Sequence, residues 1–317
     1  MNLAQRCAVV DGVLIIKKET GWTSHDVVAK VRQLLGGVKV GHAGTLDPAA
    51  TGVLPVLIGR GTRIAEYLVE WDKEYCAVLR LGESTDTQDA TGAVLASHTT
   101  GSVTSEPIRE VVARFHGPIE QVPPMYSAVK VGGVPLYKSA RAGKTIARDA
   151  RTIVIHTLEV EAIQERDVTL RIVCSKGTYV RTLCADIGEA LGVGGHMLAL
   201  ERRRVGPLTI DHALTIDEVV TRHALGRLGD GLLSLDCALD HLGIAVVTEQ
   251  TADSVRHGAP IPAAKVVRWE GAAAAERRAH SSVRIHNTDG RLLAIGKCPD
   301  NSGDVLKVEK VLIDQDV

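Results

Sequence analysis

The chain has 317 residues, of which 45% are hydrophobic and 24% charged, and its formal net charge is −1. This composition is ordinary for a soluble globular protein. No apolar run approaches the roughly 18 residues of a membrane helix, and the first residues carry no signal-peptide pattern, so we expect a cytoplasmic protein.

The N-terminal part of the chain predicts a helix and a glycine-rich loop between two strands. Thr23 and Ser24 are good N-cap residues, and apolar side chains then recur at helical spacing. Glycine and proline punctuate the residues from Gly41 to Gly52, which is typical of a loop. The predicted elements are a strand at 12–18, a helix from 23 to 35, a loop at 41–52 and a strand at 53–58.

The middle of the chain predicts further strands and two helices around a long irregular segment. Residues 121–150, which we call the excursion, are rich in glycine and proline and poor in apolar periodicity. Long segments of this kind tend to be functional or mobile. The predicted elements are strands at 75–81 and 92–96 joined by an acidic loop, a helix from Pro107 to Gly117, strands at 152–156, 158–163 and 168–175, and a helix at 180–191.

The character of the sequence changes near Gly243. Short β-rich segments follow, including a hairpin predicted to turn at Asp289 and Gly290. The predicted elements are strands at 244–247 and 305–313, a helix at 248–256 and the hairpin between them. We therefore expect a first domain at 1–240 and a small, mainly β second domain at 241–317.

Basic side chains are concentrated in the excursion. Between Ser127 and Arg151 a single acid, Asp149, stands against these bases: Lys130, Lys138, Arg141, Lys144, Arg148 and Arg151. A second basic cluster is the run Arg202–Arg203–Arg204. Charge runs are usually solvated faces, but two of them on a nearly neutral chain indicate a localised anionic partner.

Several familiar catalytic patterns are excluded. Ser24, His25 and Asp26 carry the letters of a hydrolase triad, but consecutive side chains diverge, and the segment predicts a helix N-terminus. No nucleophile elbow, Walker A loop or dinucleotide fingerprint occurs, so we expect no cofactor. The six cysteines form no C-x-x-C pair and are expected to be reduced thiols.

Two acidic features remain. Glu83, Asp86 and Asp89 share one loop that could hold a metal ion, but a hydrogen-bonded Asx-turn loop is favoured and no metal is expected.

Asp47 lies on the glycine-rich loop, five residues after His42. An aspartate before proline is commonly a turn residue, whereas a carboxylate held in such a loop can also serve as a covalent nucleophile. The residues alone leave both interpretations of Asp47 open.

Five sequence blocks, in order from about residue 11 to residue 210, resemble the TruB family of tRNA pseudouridine(55) synthases. They are GVLIIKKETGWTSHDVV, GHAGTLDPAATGVLPVLIGRGTR, DKEYCAVLRLGESTDTQDATG, PPMYSAVKVGGVPLYKSARAG and CSKGTYVRTLCADIGEALGVGGHMLALERRRVG. The resemblance implies an α+β fold, in which a mixed, mostly antiparallel sheet with flanking helices carries the catalytic domain. It also implies a small PUA-like RNA-binding domain at the C-terminus.

The resemblance implies that the enzyme converts a uridine in the T-arm loop of tRNA to pseudouridine without cofactor or metal. Asp47 would be the nucleophile, attacking either C6 of the base or C1′ of the ribose. Arg181 would pair with Asp47, and a cation at contact distance lowers the pKa of a carboxyl group. Tyr75 would stack on the base and move a proton. From the residues alone, an exposed helix arginine is the favoured interpretation of Arg181, and Tyr75 is also a half-buried strand aromatic.

The resemblance also assigns residues to substrate binding. His42 would fill the space left when the uridine is everted, and Tyr75, Tyr179 and Leu200 would line its pocket. From the residues alone, His42 is also a loop histidine bonded to backbone, and Leu200 a core leucine. The excursion would clasp the RNA, with five candidate phosphate contacts: Lys130, Lys138, Arg141, Lys144 and Arg148.

The expected partner is therefore the T-arm stem-loop of tRNA, bound by a monomer. One alternative is a guide-RNA-dependent pseudouridine synthase, against which the long basic excursion speaks. Another is a tRNA-binding or tRNA-folding module that has lost catalysis, against which the retained Asp47, Tyr75 and Arg181 speak.

Overall fold

The computed structural model describes residues 11–101, 103–127, 129–271, 281–298 and 304–313, with the backbone alone at Arg141. Its helices are α1 Ser24–Leu34, α2 Ala65–Val69, α3 Ser105–Ala113, α4 Leu136–Arg141, α5 Val180–Ala190, α6 Ile216–Ala224, α7 Leu235–Ala238 and α8 Glu249–Arg256. Its strands are β1 Gly12–Lys18, β2 Val40–His42, β3 Thr51–Ile58, β4 Lys73–Leu81, β5 Glu83–Thr85, β6 Val94–Ser97, β7 Gly117–Gln121, β8 Lys130–Val131, β9 Val134–Pro135, β10 Arg151–Gln164, β11 Asp167–Cys174, β12 Gly195–Val205, β13 Leu208–Thr209, β14 Leu232–Leu233, β15 Gly243–Val247, β16 Ile261–Pro262, β17 Val266–Glu270, β18 Ser282–Asn287, β19 Leu292–Lys297 and β20 Val305–Val311.

A ten-stranded sheet organises the larger part of the chain. Eight strands follow the order β14-β1-β3-β12-β4-β11-β10-β7, while β13 pairs with β12 and β2 with β3. Every pairing in it is antiparallel except that of β3 with β12. The mixed, mostly antiparallel sheet with flanking helices is as predicted.

Amphipathic helices cover this sheet and close its core. Helix α1 begins at the N-cap Thr23, whose hydroxyl accepts from the Asp26 amide while the Asp26 carboxylate accepts from the Thr23 amide. Its apolar face, including Val27 and Val31, packs on Leu14 of β1. Helices α3 and α5 pack in the same way on strands β4, β10 and β11. The Ser24–His25–Asp26 segment is thus a helix N-terminus, as predicted.

Several boundaries differ from those predicted. The loop at 41–52 is shorter, because β2 runs to His42 and β3 begins at Thr51. The strand predicted at 92–96 pairs not with β4 but with β5, in a separate hairpin. The two strands predicted at 152–156 and 158–163 are one strand, β10, bent by register shifts. Strand β12 was not predicted at all, because its partners β3 and β4 are distant in sequence.

A six-stranded sheet with the order β16-β20-β19-β18-β15-β17 forms a C-terminal β domain. The hairpin of β18 and β19 turns at Asp289 and Gly290, as predicted. Leu312 and Ile295 of this domain share an apolar cluster with Ile64 and Leu68 of the larger part. Within the residues described, no helix is long and apolar enough to cross a membrane.

Candidate active site

Asp47 lies on a short loop, residues 43–50, that joins β2 to β3 and that we call the Asp47 loop. The hydroxyl of Ser24 donates to the Leu46 carbonyl at 3.1 Å and accepts from the Leu46 amide at 2.9 Å. The ammonium of Lys18 donates to the Pro48 carbonyl at 3.2 Å. Both residues flanking Asp47 are therefore tied to the β1–α1 segment, which limits the movement of the carboxylate.

Arg202 anchors the same loop from beneath. Its side chain is fully buried, and its guanidinium donates to the carbonyls of Val53 at 2.7 Å, Gly44 at 2.9 Å and Thr45 at 3.4 Å. The expectation that Arg202 belongs to a solvated basic patch is therefore wrong. Because β12 passes beside β3 at this point, its side chain is directed into the core and hydrogen-bonds backbone.

Gly52 allows this close approach of the two strands. It adopts a φ of +103°, and a Cβ atom there would lie 2.2 Å from the Arg202 carbonyl oxygen. Only glycine fits both the backbone conformation and the contact. The parallel pairing of β3 with β12, and with it the end of the Asp47 loop, depends on this residue.

Arg181 reaches the Asp47 carboxylate from helix α5. Its Nε lies 3.1 Å from Oδ2 of Asp47, and the Arg181 side chain is 8% exposed against 38% for that of Asp47. The same guanidinium donates to the Tyr126 carbonyl at 2.9 Å and lies 3.5 Å from Oδ2 of Asp89. The pairing implied by the resemblance is thus present in the geometry, and Arg181 is not an exposed helix arginine.

Burial raises the pKa of Asp47 above its ordinary value. The charges of Arg181 and Lys18 oppose this, while the negative charge of Asp89 adds to it. The charge of Arg181 thus lowers the pKa, as the pairing implies, but its effect is smaller than that of burial. Desolvation is the largest contribution even though the Asp47 side chain is 38% exposed, because neighbouring elements crowd the carboxylate on its other sides.

The acidic loop is a hydrogen-bonded turn, as favoured from the sequence. The Asp89 carboxylate accepts from the Thr87 hydroxyl at 2.8 Å, the Thr91 amide at 2.9 Å and the Thr91 hydroxyl at 2.6 Å. Across the described ranges, no group of three or more metal-ligating side chains occurs. The Asp89 carboxylate also contacts the Arg181 guanidinium. Nothing in the sequence indicated this contact, because the two residues are 92 positions apart.

Tyr75 and Leu200 lie side by side across the central strands. In the pairing of β4 with β12, Tyr75 is opposite Arg202, and Leu200 is opposite Ala77. Tyr75 is buried, and burial raises the pKa of its phenol, against which the charge of Arg202 acts. Leu200 is half-buried and contacts apolar clusters on both sides of β12. Tyr75 is near enough to Asp47 that the carboxylate also raises the pKa of the phenol.

His42 ends strand β2 at the start of the Asp47 loop. Burial lowers the pKa of its imidazole, and the charges of Arg202 and His25 lower it further. The ring is therefore neutral at neutral pH. Its Nδ1 is buried and has no hydrogen-bond partner among the described residues, which does not favour the interpretation of His42 as a backbone-bonded loop histidine.

Tyr179 is positioned by a pair of hydrogen bonds from β7. The Gln121 carboxamide accepts from the Tyr179 amide at 2.8 Å and donates to the Tyr179 carbonyl at 3.0 Å. Gln121 is 2% exposed. This clamp fixes the N-terminus of α5, two residues before Arg181, and sequence reasoning had no signal for it because Gln121 and Tyr179 lie 58 residues apart.

The excursion folds into the β8–β9 hairpin followed by α4. The buried side chain of Leu136 and a hydrogen bond from its amide to the Val129 carbonyl tether this hairpin. Of the predicted phosphate contacts, Lys130, Lys138 and Lys144 are exposed and Arg148 is half-buried, while the Arg141 side chain lies outside the described residues. The excursion also contacts the Asp47–Arg181 pair, since the Tyr126 carbonyl accepts from Arg181.

Lys18 is a further residue that supports the Asp47 loop and that the sequence did not single out. It is fully buried and donates to the carbonyls of Trp22 at 2.7 Å and Glu19 at 2.9 Å as well as to Pro48. A signal was present, because Leu14, Ile16 and Lys18 alternate along β1 and so share one face of the strand. Burial lowers the pKa of the Lys18 ammonium to about 8.

Comparison with known families accounts for this arrangement. The family model described as TruB family pseudouridylate synthase (N terminal domain) matches residues 32–180, and the model described as tRNA pseudouridylate synthase B C-terminal domain matches residues 181–240. The chain belongs to the TruB family. The border between the two models falls inside α5, so both describe parts of the structure built on the ten-stranded sheet.

Individual relatives extend over most of the chain. A tRNA pseudouridine synthase B of Geotalea uraniireducens is 47% identical over 78% of this chain and 80% of its own length. One of Burkholderia mallei is 40% identical over 96% and 97%. Among solved structures, a chain of a Cbf5–Nop10–Gar1 complex is similar with a TM-score of 0.76 and 30% identity, over 96% of this chain and 86% of that one.

Proposed function

We propose that this TruB-family enzyme isomerises a uridine in the T-arm loop of tRNA to pseudouridine, with Asp47 as its nucleophile. One observation carries the proposal: the Asp47 carboxylate, on a loop tied down on both sides, lies 3.1 Å from the buried guanidinium of Arg181. A carboxylate fixed in this way is pre-organised for attack on a bound nucleotide. The names of the relatives, tRNA pseudouridine synthase B, supply the substrate class.

In the reaction the N1–C1′ bond of uridine breaks, the base turns, a C5–C1′ bond forms, and the proton displaced from C5 is balanced by one gained at N1. Asp47 in its ionised form attacks C6 of the base or C1′ of the ribose. Arg181 stabilises the ionised carboxylate by its charge. Tyr75 stacks on the base, and its phenol, kept protonated by the raised pKa, is available for proton transfer.

A uridine in a folded loop must leave its stack before Asp47 can reach it, at a cost of roughly a few kcal/mol. We assign to the neutral ring of His42 the space that the base vacates. Tyr179 and Leu200 line the pocket that receives the base. The exposed lysines of the excursion, Lys130, Lys138 and Lys144, bind the phosphate backbone together with Arg141 and Arg148, because such contacts release counterions from the RNA.

We further propose a domain boundary near residue 240, with a catalytic domain at 1–240 and a PUA-like RNA-binding domain at 241–317. The β sheet that begins at Gly243 supports this division.

We propose a cytoplasmic monomer. The five described cysteines are free thiols, which is typical of a reducing compartment.

The guide-RNA-dependent alternative finds some support in the similarity to Cbf5, which was solved in complex with Nop10 and Gar1. The identity to the tRNA pseudouridine synthase B relatives is higher, 47% and 40% against 30%, and the Burkholderia mallei relative matches over the same 96% of this chain. The basic excursion also favours direct recognition of tRNA. Retention of the Asp47–Arg181 pair speaks against a module that only binds or folds tRNA.

The decisive experiment is to incubate purified protein with an unmodified tRNA transcript, without guide RNA, and to map pseudouridine at nucleotide resolution. We expect one modified position, in the T-arm loop. Asp47→Asn should abolish the product and leave tRNA binding within about twofold, because the substitution removes the attacking charge and keeps the shape. Asp211→Asn, at an exposed position, is the matched control. Normal product formation by Asp47→Asn contradicts the mechanism.

A further inference from the structure

The buried carboxamide of Gln121 joins the start of the excursion to helix α5. Gln121 is the last residue of β7, where it pairs with Arg151 of β10, and its side chain is 2% exposed. Burying a polar group is unfavourable unless the group is hydrogen-bonded. Both polar atoms of this carboxamide are engaged by one residue, since Oε1 accepts from the Tyr179 amide at 2.8 Å and Nε2 donates to the Tyr179 carbonyl at 3.0 Å. Gln121 therefore binds the backbone of Tyr179 as a residue of a neighbouring strand would.

Tyr179 is the N-cap residue of α5, and its own side chain does not cap the helix. Helices commonly begin at a residue whose side-chain oxygen accepts from the first turn, and this bond defines where the helix starts. Here the Tyr179 carbonyl accepts from the Leu183 amide at 3.1 Å and also from Gln121. The start of α5 is thus held by a side chain of another element, 58 residues earlier in the chain.

Two residues assigned to the reaction depend on where α5 starts. The ring of Tyr179 is assigned to the uridine pocket, and Arg181, two residues later, lies 3.1 Å from Asp47. The Tyr126 carbonyl, five residues after Gln121, accepts from Arg181 at 2.9 Å. A misplacement of about 1 Å can slow an enzyme about 100-fold. A shift of Tyr179 relative to β7 would move the ring and the guanidinium together.

Neither β7 nor α5 needs this clamp in order to form. Strand β7 pairs with β10 over five residues. Helix α5 packs on the sheet through apolar side chains that include Val180, Leu183 and Ile187. The clamp adds a fixed relation between the two elements at the start of the helix. Because Gln121 is almost fully buried, it can affect the reaction only through the residues that it holds.

We propose that Gln121 is a positioning residue of the isomerisation: its carboxamide holds Tyr179 at the uridine pocket and, through the start of α5, holds Arg181 against Asp47. The proposal rests on the function proposed above. A carboxamide suits this role because it both donates and accepts, whereas an ionised carboxylate only accepts. Loss of the clamp should therefore slow the chemical step more than it weakens RNA binding.

Gln121→Met tests the proposal, because it keeps most of the side-chain volume and removes both hydrogen bonds. Single-turnover rates at saturating protein concentration measure the chemical step, and titration of an unmodified tRNA transcript measures binding. We expect the rate to fall about tenfold or more while the affinity stays within about threefold. A rate within about twofold of the wild-type value, or a loss of affinity as large as the loss of rate, overturns the inference.

Gln121→Glu adds a readout that loss of stability alone would not produce. The ionised carboxylate still accepts from the Tyr179 amide but cannot donate to the Tyr179 carbonyl, whereas the protonated form can do both. Because the wild-type rate itself falls in acid, the quantity compared is the ratio of the variant rate to the wild-type rate. Burial raises the pKa of a carboxyl group, so this ratio should rise as the pH is lowered from about 9 to about 5. A ratio that does not change with pH overturns the inference, and this test remains if Gln121→Met does not fold.

The matched control is Ile153→Ala, which truncates a buried side chain of β10 opposite Ile119 of β7. It should lower the melting temperature at least as much as Gln121→Met and leave the single-turnover rate within about twofold, since the clamp is intact. An equal loss of rate in the control would assign the effect to general destabilisation and overturn the inference. If the wild-type protein makes pseudouridine while the Gln121 variants behave like the control, the inference about Gln121 fails alone; absence of product in the wild-type protein contradicts the proposed function and, with it, this inference.

Discussion

At the residue scale, two buried cations hold the Asp47 loop through backbone carbonyls. Arg202 and Lys18 are fully buried, and their hydrogen bonds run to carbonyl oxygens of the loop and its neighbours. A buried guanidinium is costly to desolvate, and the hydrogen bonds that compensate for this cost also define where the loop lies. The position of Asp47 therefore depends on residues that bind the backbone of its loop.

Arg202→Met should destabilise the protein and lower its activity. The substitution keeps most of the side-chain volume but leaves the carbonyls of Gly44 and Val53 unpaired, at about 1–3 kcal/mol for each buried group. Chemical denaturation and single-turnover kinetics measure the two effects. The control is Arg203→Met, since Arg203 is 39% exposed and makes only surface ion pairs at 3.6 Å, worth about 0–1 kcal/mol. Equal effects of the two substitutions would show that the loop does not need Arg202.

On the acidic side of the pH–rate profile, the single-turnover rate should follow the ionisation of the Asp47 carboxyl group. Because the reaction needs the ionised carboxylate and burial raises its pKa, the single-turnover rate should fall as the pH falls, beginning above the ordinary range of an aspartate. Asp89→Asn should shift the limb to lower pH, since it removes a negative charge that raises the Asp47 pKa. Asp186 titrates near pH 6, so Asp186→Asn is the control: loss of the limb in that variant would assign it to Asp186.

At the element scale, the excursion connects its exposed lysines to Tyr179 and Arg181. It begins at the Gln121 clamp on Tyr179, passes the Tyr126 carbonyl that binds Arg181, and reaches Arg148, which lines a cavity with Thr182 and Asp186 of α5. The hairpin, α4 and the segment just after α4 carry the exposed lysines Lys130, Lys138 and Lys144. The same segment therefore carries the proposed phosphate contacts and also holds Arg181, for which a catalytic role is proposed.

Charge reversal at residues 138, 141 and 144 of the excursion should weaken RNA binding and make it less dependent on salt. For Lys138→Glu combined with Lys144→Glu and Arg141→Glu, we expect the slope of log affinity against log salt to fall by about 2–3, as about one counterion is released per phosphate contact. Titrations at several salt concentrations measure the slope. Arg227→Glu is the control outside the excursion. An unchanged slope would show that residues 138–144 of the excursion do not contact the RNA backbone.

At the scale of the whole molecule, the C-terminal β domain shares an apolar cluster with the larger part. Leu312 and Ile295 pack with Ile64 and Leu68, and Lys310 pairs with Glu66 at 2.9 Å. On the other side, Arg284 of β18 lies 2.8 Å from the Asp236 carboxylate in α7. Apolar burial combined with ion pairs at the edges favours one fixed arrangement of the two parts.

Leu312→Ala should weaken this contact and lower the local stability of the larger part where it meets the C-terminal β domain. Truncation of a buried leucine costs about 2–5 kcal/mol, and here part of that cost falls on the segment from Gly59 to Val69. Hydrogen exchange of this segment should become faster. Leu306→Ala removes a leucine buried within the C-terminal domain's own core and should leave exchange at 59–69 unchanged. If both variants behave alike at 59–69, the shared cluster does not couple the two parts.

The sequence by itself determined the elements whose signals are local. Strand β1, the capped helix α1 and the hairpin at Asp289–Gly290 follow from periodicity and turn chemistry within a few residues. The sequence blocks likewise indicated the family and the pair of Asp47 and Arg181. Only the tertiary structure decided the features that depend on distant partners. Strand β12 forms because β3 and β4 pair with it, and the burial of Arg202 follows from that pairing. The net rise in the Asp47 pKa belongs to the same class, because desolvation depends on how closely all the surrounding elements pack.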